Sequence, residues 1–391
     1  MRILWHSNAP WVPTGYGNQV GLFAHGLAER HELAVSAFYG LEGARLNWNG
    51  IQVFPGLGGE YGNVCLEKHA ESWFRGDVRG GLVLTLIDVW VLNPQMAQTM
   101  NFSCWVPVDH EPVPPDVRNF FTLSGAIPIC MTEYGRSELE QFDPLYVPHG
   151  VDLDTFTPRN DRDQVRERVG LNKDDFVVGI VAANKGRPSR KSFQQSLEAF
   201  GIFRQAHENA VLYLHTVMSS QHTDGVELTA LIEALGIGDS VRIADQYRMI
   251  LNPQPPEAMS QVYSTFDVLL NPSTGEGFGV PIVEAQACGV PVITTDHSAM
   301  KEVTGAGWKV GGTPYWTGQR SYQKTPFVPD IVDALEECYS LPTMKRKALS
   351  TSARQFAGRY GRDTVLRNHF LPALAEIEER IGEQPTIKMA A

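Results

Sequence analysis

The sequence predicts an α/β protein of two doubly wound domains, and three observations predict it. Short apolar runs rich in β-branched residues alternate with segments of helical period, which is the pattern of βαβ units and parallel sheets. The 391 residues suffice for two or three domains, each able to bury its own core. Pro and Gly punctuate the chain at Val147-Pro148-His149-Gly150, and a polar stretch, Thr157 to Asp163, follows as an interdomain linker would. The expected division is 1–150, 151–355 and a C-terminal segment 356–391.

In the first domain the predicted strands are Arg2 to Trp5, Leu33 to Phe38, Leu82 to Ile87, Ser103 to Val108, Ile127 to Met131 and Leu145 to Val147. A helix follows the first of them, starting near Gly17, because Val20, Phe23, Ala24 and Leu27 recur at three-and-four spacing on one face. In the second domain strands at Phe176 to Ala182, Val211 to Thr216, Val241 to Ile243, Val268 to Leu270 and Val290 to Thr294 alternate with helices. Those helices run Phe193 to Gln205, Thr229 to Leu235, about Glu257 to Ser264, and Pro281 to Cys288, with Gly236 and Gly289 as stop signals. The C-terminal segment reads as helical, with Phe356, Val365, Phe370, Leu371, Leu374 and Ile377 apolar and a loose tail after Gly382.

Composition narrows the functional classes. Lys plus Arg number 33 against 44 Asp plus Glu, a formal net charge of −11. That excludes a broad polyanion surface, so neither nucleic acid nor an anionic membrane is an expected partner. The 43% hydrophobic and 20% charged content is globular, and there is no repeat. Five widely spaced cysteines (Cys65, Cys104, Cys130, Cys288, Cys338) form no CxxC pair, so no disulfide framework or zinc site is expected and a reducing cytoplasm is the natural compartment. The N-terminal apolar run turns polar by Ser7, too short for a signal peptide, and Asp88 interrupts the longest apolar stretch; an integral membrane segment is not expected.

In doubly wound sheets ligands lie outside the carboxyl ends of the strands, so loops that follow strands carry the chemistry, here in an expected cleft between the domains. The strongest such segment is Asn271-Pro272-Ser273-Thr274-Gly275-Glu276-Gly277-Phe278-Gly279-Val280-Pro281-Ile282-Val283-Glu284-Ala285-Gln286-Ala287-Cys288-Gly289. A strand runs into a glycine-rich loop, and Pro281 is placed for the first helical position. Backbone amides at that helix start suit a phosphate or another anion. Glu276 in the loop and Glu284 about one turn inside the helix suit vicinal hydroxyls of a ribose or a hexose. Taken alone, Glu284 is also what any helix N-terminus favours.

A second segment, Ala183-Asn184-Lys185-Gly186-Arg187-Pro188-Ser189-Arg190-Lys191-Ser192, follows the strand at Phe176 to Ala182. Its cations would neutralise a diphosphate and the charge that grows on a leaving group. In the first domain Pro13-Thr14-Gly15-Tyr16-Gly17-Asn18 joins the first strand to its helix, so that amides near Gly15 and Gly17 point toward the cleft; a plain tight turn reads the same way. Asp109-His110-Glu111 ends another strand. Adjacent residues on an extended chain face opposite sides and no further ligand group accompanies them, so no metal site is expected there.

Glu276 and Glu284, with seven residues between them in Ser-Thr-Gly-Glu-Gly-Phe-Gly-Val-Pro-Ile-Val-Glu, resemble the E-x7-E signature of retaining GT-B glycosyltransferases of the GT4 type. Val147-Pro148-His149-Gly150-Val151-Asp152 through Phe156 and Pro158 is similar to that family's interdomain segment, with His149 in place of the usual Asn. The resemblance implies two Rossmann-like domains facing across a cleft. Residues 1–150 would bind the acceptor, residues 151–355 the nucleotide-sugar donor, and the C-terminal helices would cross back to the first domain. It implies that Glu276 contacts donor-sugar hydroxyls, that Gly277, Phe278 and Gly279 line the sugar and phosphate, and that Glu284 holds the ribose. The family places an Arg five residues before its Lys, yet Gly186 stands five before Lys191, leaving either Arg187 or Arg190 as the partner cation. Either Asp109 or His110 occupies the place of a family His near the sugar's C6 hydroxyl. Asn184, Gly15 and Gly17 join the donor contacts, as does Tyr247 in the loop where the family reads the base.

The implied function is a retaining transfer of a hexose from a nucleotide diphosphate donor, UDP- or GDP-linked, to an acceptor hydroxyl. It would proceed on the front face, with no metal and no cofactor. No motif names the acceptor: protein, glycan, lipid or small molecule all remain open. The competing readings are a GT-B sugar-nucleotide epimerase and a non-catalytic sugar- or nucleotide-binding protein. A glycan phosphorylase would be longer, and no junction carries the G-x-G-x-x-G of a dehydrogenase.

Overall fold

In the computed structural model, residues 1–58, 60–219, 224–251 and 254–382 are described. They divide into two compact units. One comprises Met1–Val108, Pro112–Gly150 and the chain from Arg362; the other comprises Asp109–Glu111 and Val151–Gly361.

The first unit is built on an eight-stranded sheet of β1 (Arg2–Asn8), β2 (Glu32–Tyr39), β3 (Leu46–Trp48), β4 (Ile51–Phe54), β5 (Gly81–Leu86), β6 (Asn101–Val106), β7 (Ile127–Cys130) and β8 (Leu145–Tyr146). The strand order is 3-4-2-1-5-6-7-8, and every pair is parallel except β3 with β4. The chain winds outward in both directions from β1 and β5, which makes their carboxyl ends the switch point of this sheet. The helix Gly15–Ala28 starts where Thr14 Oγ1 accepts the Gly17 amide at 3.1 Å. It buries Val20, Phe23, Ala24 and Leu27, the face that periodicity selects. Phe370, from the C-terminal segment, packs edge-on at 5.7 Å from Trp5, 5.5 Å from Phe23 and 5.0 Å from Trp105. Such aromatic packing fixes that segment in the first unit.

The second unit holds a six-stranded, wholly parallel sheet: β9 (Phe176–Val181), β10 (Ala210–His215), β11 (Val241–Ile243), β12 (Val268–Asn271), β13 (Val292–Thr295) and β14 (Gly307–Val310), in the order 11-10-9-12-13-14. Its switch point lies between β9 and β12. A separate antiparallel hairpin, β15 (Gly312–Trp316) and β16 (Tyr322–Pro326), follows. One face of the sheet is covered by helix Phe193–Ala206, through Phe193, Leu197, Phe200 and Phe203, and by helix Val328–Ser340, through Ile331, Leu335 and Cys338.

Several elements lie outside the sequence expectation. Strands β3, β4 and β14, the β15–β16 hairpin and the helix Asn63–Trp73 were not expected. Strand β13 begins at Val292 rather than Val290, because the Val290 amide still closes the preceding helix on Ala285 O at 2.9 Å. Helix Val280–Ala287 begins one residue before Pro281, capped by Gly279 in the left-handed region (φ 93°). Phe356 stays in the second unit, against Gly305, where a Cβ would stand 2.0 Å from its ring, so the chain rejoins the first unit at Arg362. All five cysteines are buried and unpaired. Among the described residues no helix is long and apolar enough to cross a membrane.

Candidate functional site

Parallel strands β9 and β12 lie side by side, so the loops leaving their carboxyl ends meet. From the β9 loop come Arg190 and Lys191, and from the β12 loop Glu276. Lys191 Nζ donates to Glu276 Oε1, Ser273 Oγ donates to the same oxygen at 2.6 Å, and Arg190 Nη1 stands 3.3 Å from Oε2. The Glu276 amide donates to Ser298 Oγ at 3.0 Å, so backbone and side chain are both fixed. Glu276 is 5% exposed. Burial works to raise its pKa, but the charges of Lys191 and Arg190 and the two hydrogen bonds overcome it and hold the carboxylate at about 2. Burial and the neighbouring Arg190 lower the Lys191 ammonium from its ordinary value, against the pull of Glu276.

The structure brings Arg190, and not Arg187, to Glu276. Arg187 Nε donates instead to Gly225 O at 2.7 Å, and its side chain is 60% exposed. Asn184 is buried and spends its amide on the backbone: Nδ2 donates to Val217 O at 3.1 Å and Val226 O at 2.7 Å, while Oδ1 accepts the Val226 amide at 2.9 Å. It acts as a staple between the β9 loop and the chain after β10.

Asp109 and His110 both lie in this unit, in unequal positions. Asp109 Oδ1 pairs with His110 Nδ1 at 2.6 Å, and Asp109 Oδ2 stands 3.8 Å from Arg190 Nη1. The His110 ring is buried behind a carboxylate that remains partly open. Burial opposes ionisation of Asp109, yet the His110 hydrogen bond and the charges of His110, Arg190 and Lys191 bring its pKa below the usual value. A Cβ on Gly275 would come within 2.2 Å of Asp109 O, so only glycine lets the two backbones approach this closely.

Glu284 has different surroundings. It accepts one hydrogen bond, from Tyr263 Oη at 2.8 Å, and no cation pairs with it among the described residues. Burial pushes its carboxyl up to about 7, against that hydrogen bond. Toward the same helix start, no described residue accepts a hydrogen bond from the amides of Gly277 or Gly279. Phe278 is buried edge-on against Tyr360 at 5.4 Å, so it shapes the loop by packing. Tyr247 lies on a short helix, Gln246–Leu251, and is 71% exposed.

In the first unit, Gly17 is pressed against the preceding turn, where a Cβ would meet Val12 O at 2.2 Å, while Gly15 is open. At the β1/β5 switch point Tyr16 Oη donates to Asp88 Oδ2 at 3.2 Å. Ser273, Ser298, Tyr263 and Gln323 complete the second unit's site, and the sequence reading did not pick them out. Ser273 lies inside the motif and its proximity to Glu276 was a usable signal; the other three are far from it in sequence and carry none. No group of three or more His, Cys, Asp or Glu among the described residues is arranged to hold a metal ion.

Residues 161–354 match the family described as glycosyl transferases group 1. A D-inositol 3-phosphate glycosyltransferase of Corynebacterium jeikeium is 37% identical over 155 residues, 38% of this chain and 34% of that protein. A second, D-inositol 3-phosphate glycosyltransferase 1 of Catenulispora acidiphila, is 32% identical over 256 residues, 61% of this chain and 58% of that protein. The chain thus spans about a third to three fifths of these curated relatives. Among solved structures, Anabaena HepE in complex with UDP and glucose superimposes with a TM-score of 0.67 at 17% identity, covering 96% of this chain and 100% of that one. Sucrose-phosphate synthase from Thermosynechococcus elongatus does so with a TM-score of 0.71 at 15% identity, covering 98% and 100%. Residues 161–354 therefore belong to the glycosyl transferases group 1 family, of the GT4 type, and the chain has the GT-B fold.

Proposed function

We propose that the chain is a retaining glycosyltransferase that moves a hexose from a UDP- or GDP-linked donor to an acceptor hydroxyl, without a catalytic metal or cofactor. One observation carries the reading: Glu276, Lys191 and Arg190 converge at the β9/β12 switch point, beside a helix start whose Gly277 and Gly279 amides meet no acceptor among the described residues. A diphosphate set against that helix start would take those amides and draw the Arg190 guanidinium, whose side chain is 41% exposed and whose Nη1 donates to Gly275 O in the structure. Lys191 and Arg190 would then stabilise charge as it grows on the departing diphosphate. Glu276, released in part from its cations, would accept sugar hydroxyls, with Asp109 on the neighbouring side. Glu284 would accept the ribose hydroxyls. No side-chain base is required when a donor phosphate oxygen takes the acceptor proton on the face the diphosphate leaves, so the protein positions and neutralises.

The test is nucleotide release from a panel of UDP-, GDP- and ADP-sugars, with and without EDTA. Release from one donor that survives EDTA and vanishes in Glu276→Ala supports the reading. Tight nucleotide binding without turnover favours a binding protein, and return of an altered sugar nucleotide an epimerase.

A further inference from the structure

The β15–β16 hairpin is additional to the parallel sheet, and the geometry ties it to the sugar end of the proposed donor site. Tyr322 exchanges backbone hydrogen bonds with Glu111 at 3.0 and 3.1 Å, and the Lys324 amide donates to Thr274 O at 3.0 Å. Between them Gln323 is 4% exposed and points inward. Its Oε1 faces two hydroxyls, Thr274 Oγ1 at 2.8 Å and Tyr315 Oη at 3.0 Å, and its Nε2 faces Asp109 Oδ2 at 3.5 Å. An ionised carboxylate only accepts, which fixes the amide with its NH2 toward Asp109. At 3.5 Å that contact is electrostatic more than a formed hydrogen bond, and it leaves the Asp109 oxygen available.

Thr274 and Asp109 both adjoin Arg190. The Thr274 amide donates to Arg190 O at 2.8 Å, and Asp109 reaches Arg190 at 3.8 Å. Gln323 joins Thr274 to Asp109 by way of its one side chain. From this we infer that Gln323 is a positioning residue: it holds the Thr274 turn and the Asp109 carboxylate in one geometry, and through them sets where Glu276 and Asp109 meet the transferred sugar. The inference rests on the donor-site reading above.

Two variants test it. Gln323→Ala removes the link; Gln323→Glu keeps the shape and places a second carboxylate beside Asp109. Turnover of the active donor is expected to fall about tenfold or more in both, while UDP and GDP affinity by calorimetry stays within about twofold, because Glu284 and the Gly277 and Gly279 amides make no contact with Gln323 among the described residues. Gln323→Glu is expected to regain turnover as pH falls and the new carboxyl takes up a proton, a rescue that the alanine variant lacks. Independently of turnover, the carboxyl carbon resonance of Asp109 should titrate at higher pH in Gln323→Glu than in the unaltered protein. Unaltered turnover and an unmoved Asp109 titration in both variants would overturn the role of Gln323. So would a nucleotide affinity that falls in step with turnover. A protein inactive on every donor, with the Asp109 titration shifted as expected, overturns the donor-site reading and leaves the link itself intact.

Discussion

Glu284→Gln is expected to stabilise the protein and weaken its nucleotide binding, and the pH dependence of the first effect exposes its cause. Burial raises the Glu284 carboxyl from its ordinary 4.5 to about 7, with only the Tyr263 hydroxyl opposing. Between those two values the folded state holds a proton that the unfolded state has lost, so stability falls as pH rises. Above pH 7 both states are ionised and the folded state carries the whole penalty, about 3 kcal/mol at about 1.4 kcal/mol per pH unit. Glutamine keeps the size and still accepts from Tyr263, but it never ionises. Differential scanning calorimetry should show the variant's advantage growing from pH 5 to pH 8, reaching about 5 °C or more for a unit of this size. Isothermal titration with UDP or GDP should show an affinity loss of roughly 10- to 100-fold, the worth of one or two hydrogen bonds to a charged acceptor. A stability difference that is constant from pH 5 to pH 8 would falsify the argument, since it would mean that Glu284 ionises as freely in the fold as in the unfolded chain.

Three further outcomes follow from the same geometry. Arg190→Ala should lower donor turnover by about 100-fold, as loss of a charge-stabilising donor commonly does; Arg187→Ala should stay within about threefold, and the reverse order in a nucleotide-release assay would reassign the diphosphate contact. Gly275→Ala puts a Cβ 2.2 Å from Asp109 O and should cost about 1–3 kcal/mol in urea unfolding together with most turnover; wild-type values of both would show that the 109–111 segment moves aside freely. Glu276→Gln leaves Lys191 buried without its anion and should cost about 3 kcal/mol or more at pH 7. Because the Glu276 pKa is depressed to about 2, the stability it supplies is complete above its ordinary 4.5 and is lost as pH falls toward 2, so denaturation curves of the variant and the unaltered protein should draw together below pH 4.

The site was legible where chemistry and chain position coincide. Lys191 and Glu276 each follow a parallel strand, and strands that lie side by side at a switch point bring their loops together without further information. Choosing between Arg187 and Arg190 was beyond sequence, because the choice depends on which way the β9 loop turns, and that is set by Asn184 stapling it to Val217 and Val226. The β3–β4 hairpin did carry a signal that went unused: Asn49-Gly50, with φ of 47° and 92°, is a two-residue turn of the kind hairpins favour. The helix Asn63–Trp73 carried a weaker one. Its buried face is Cys65, Leu66, His69 and Ala70, and a histidine in that stripe hides the apolar period.

A net charge of −11 opposes a diphosphate ligand only if it acts at the site, and the local arrangement of charges differs from the total. Lys191, Arg190, Glu276 and Asp109 sum to zero, so the cluster itself neither attracts nor repels an anion at long range. Exposed charges more than a Debye length away, about 8–10 Å at physiological salt, are largely screened. What remains are short-range contacts: the Gly277 and Gly279 amides, and, in the proposed reading, a guanidinium that would exchange an Asp109 oxygen at 3.8 Å for a phosphate oxygen. The two carboxylates thus serve as the resting partners of a half-exposed Arg190 and of a Lys191 that would otherwise be buried bare. In the proposed reading they would yield those cations to a diphosphate and turn to sugar hydroxyls, which a site of cations alone could not do.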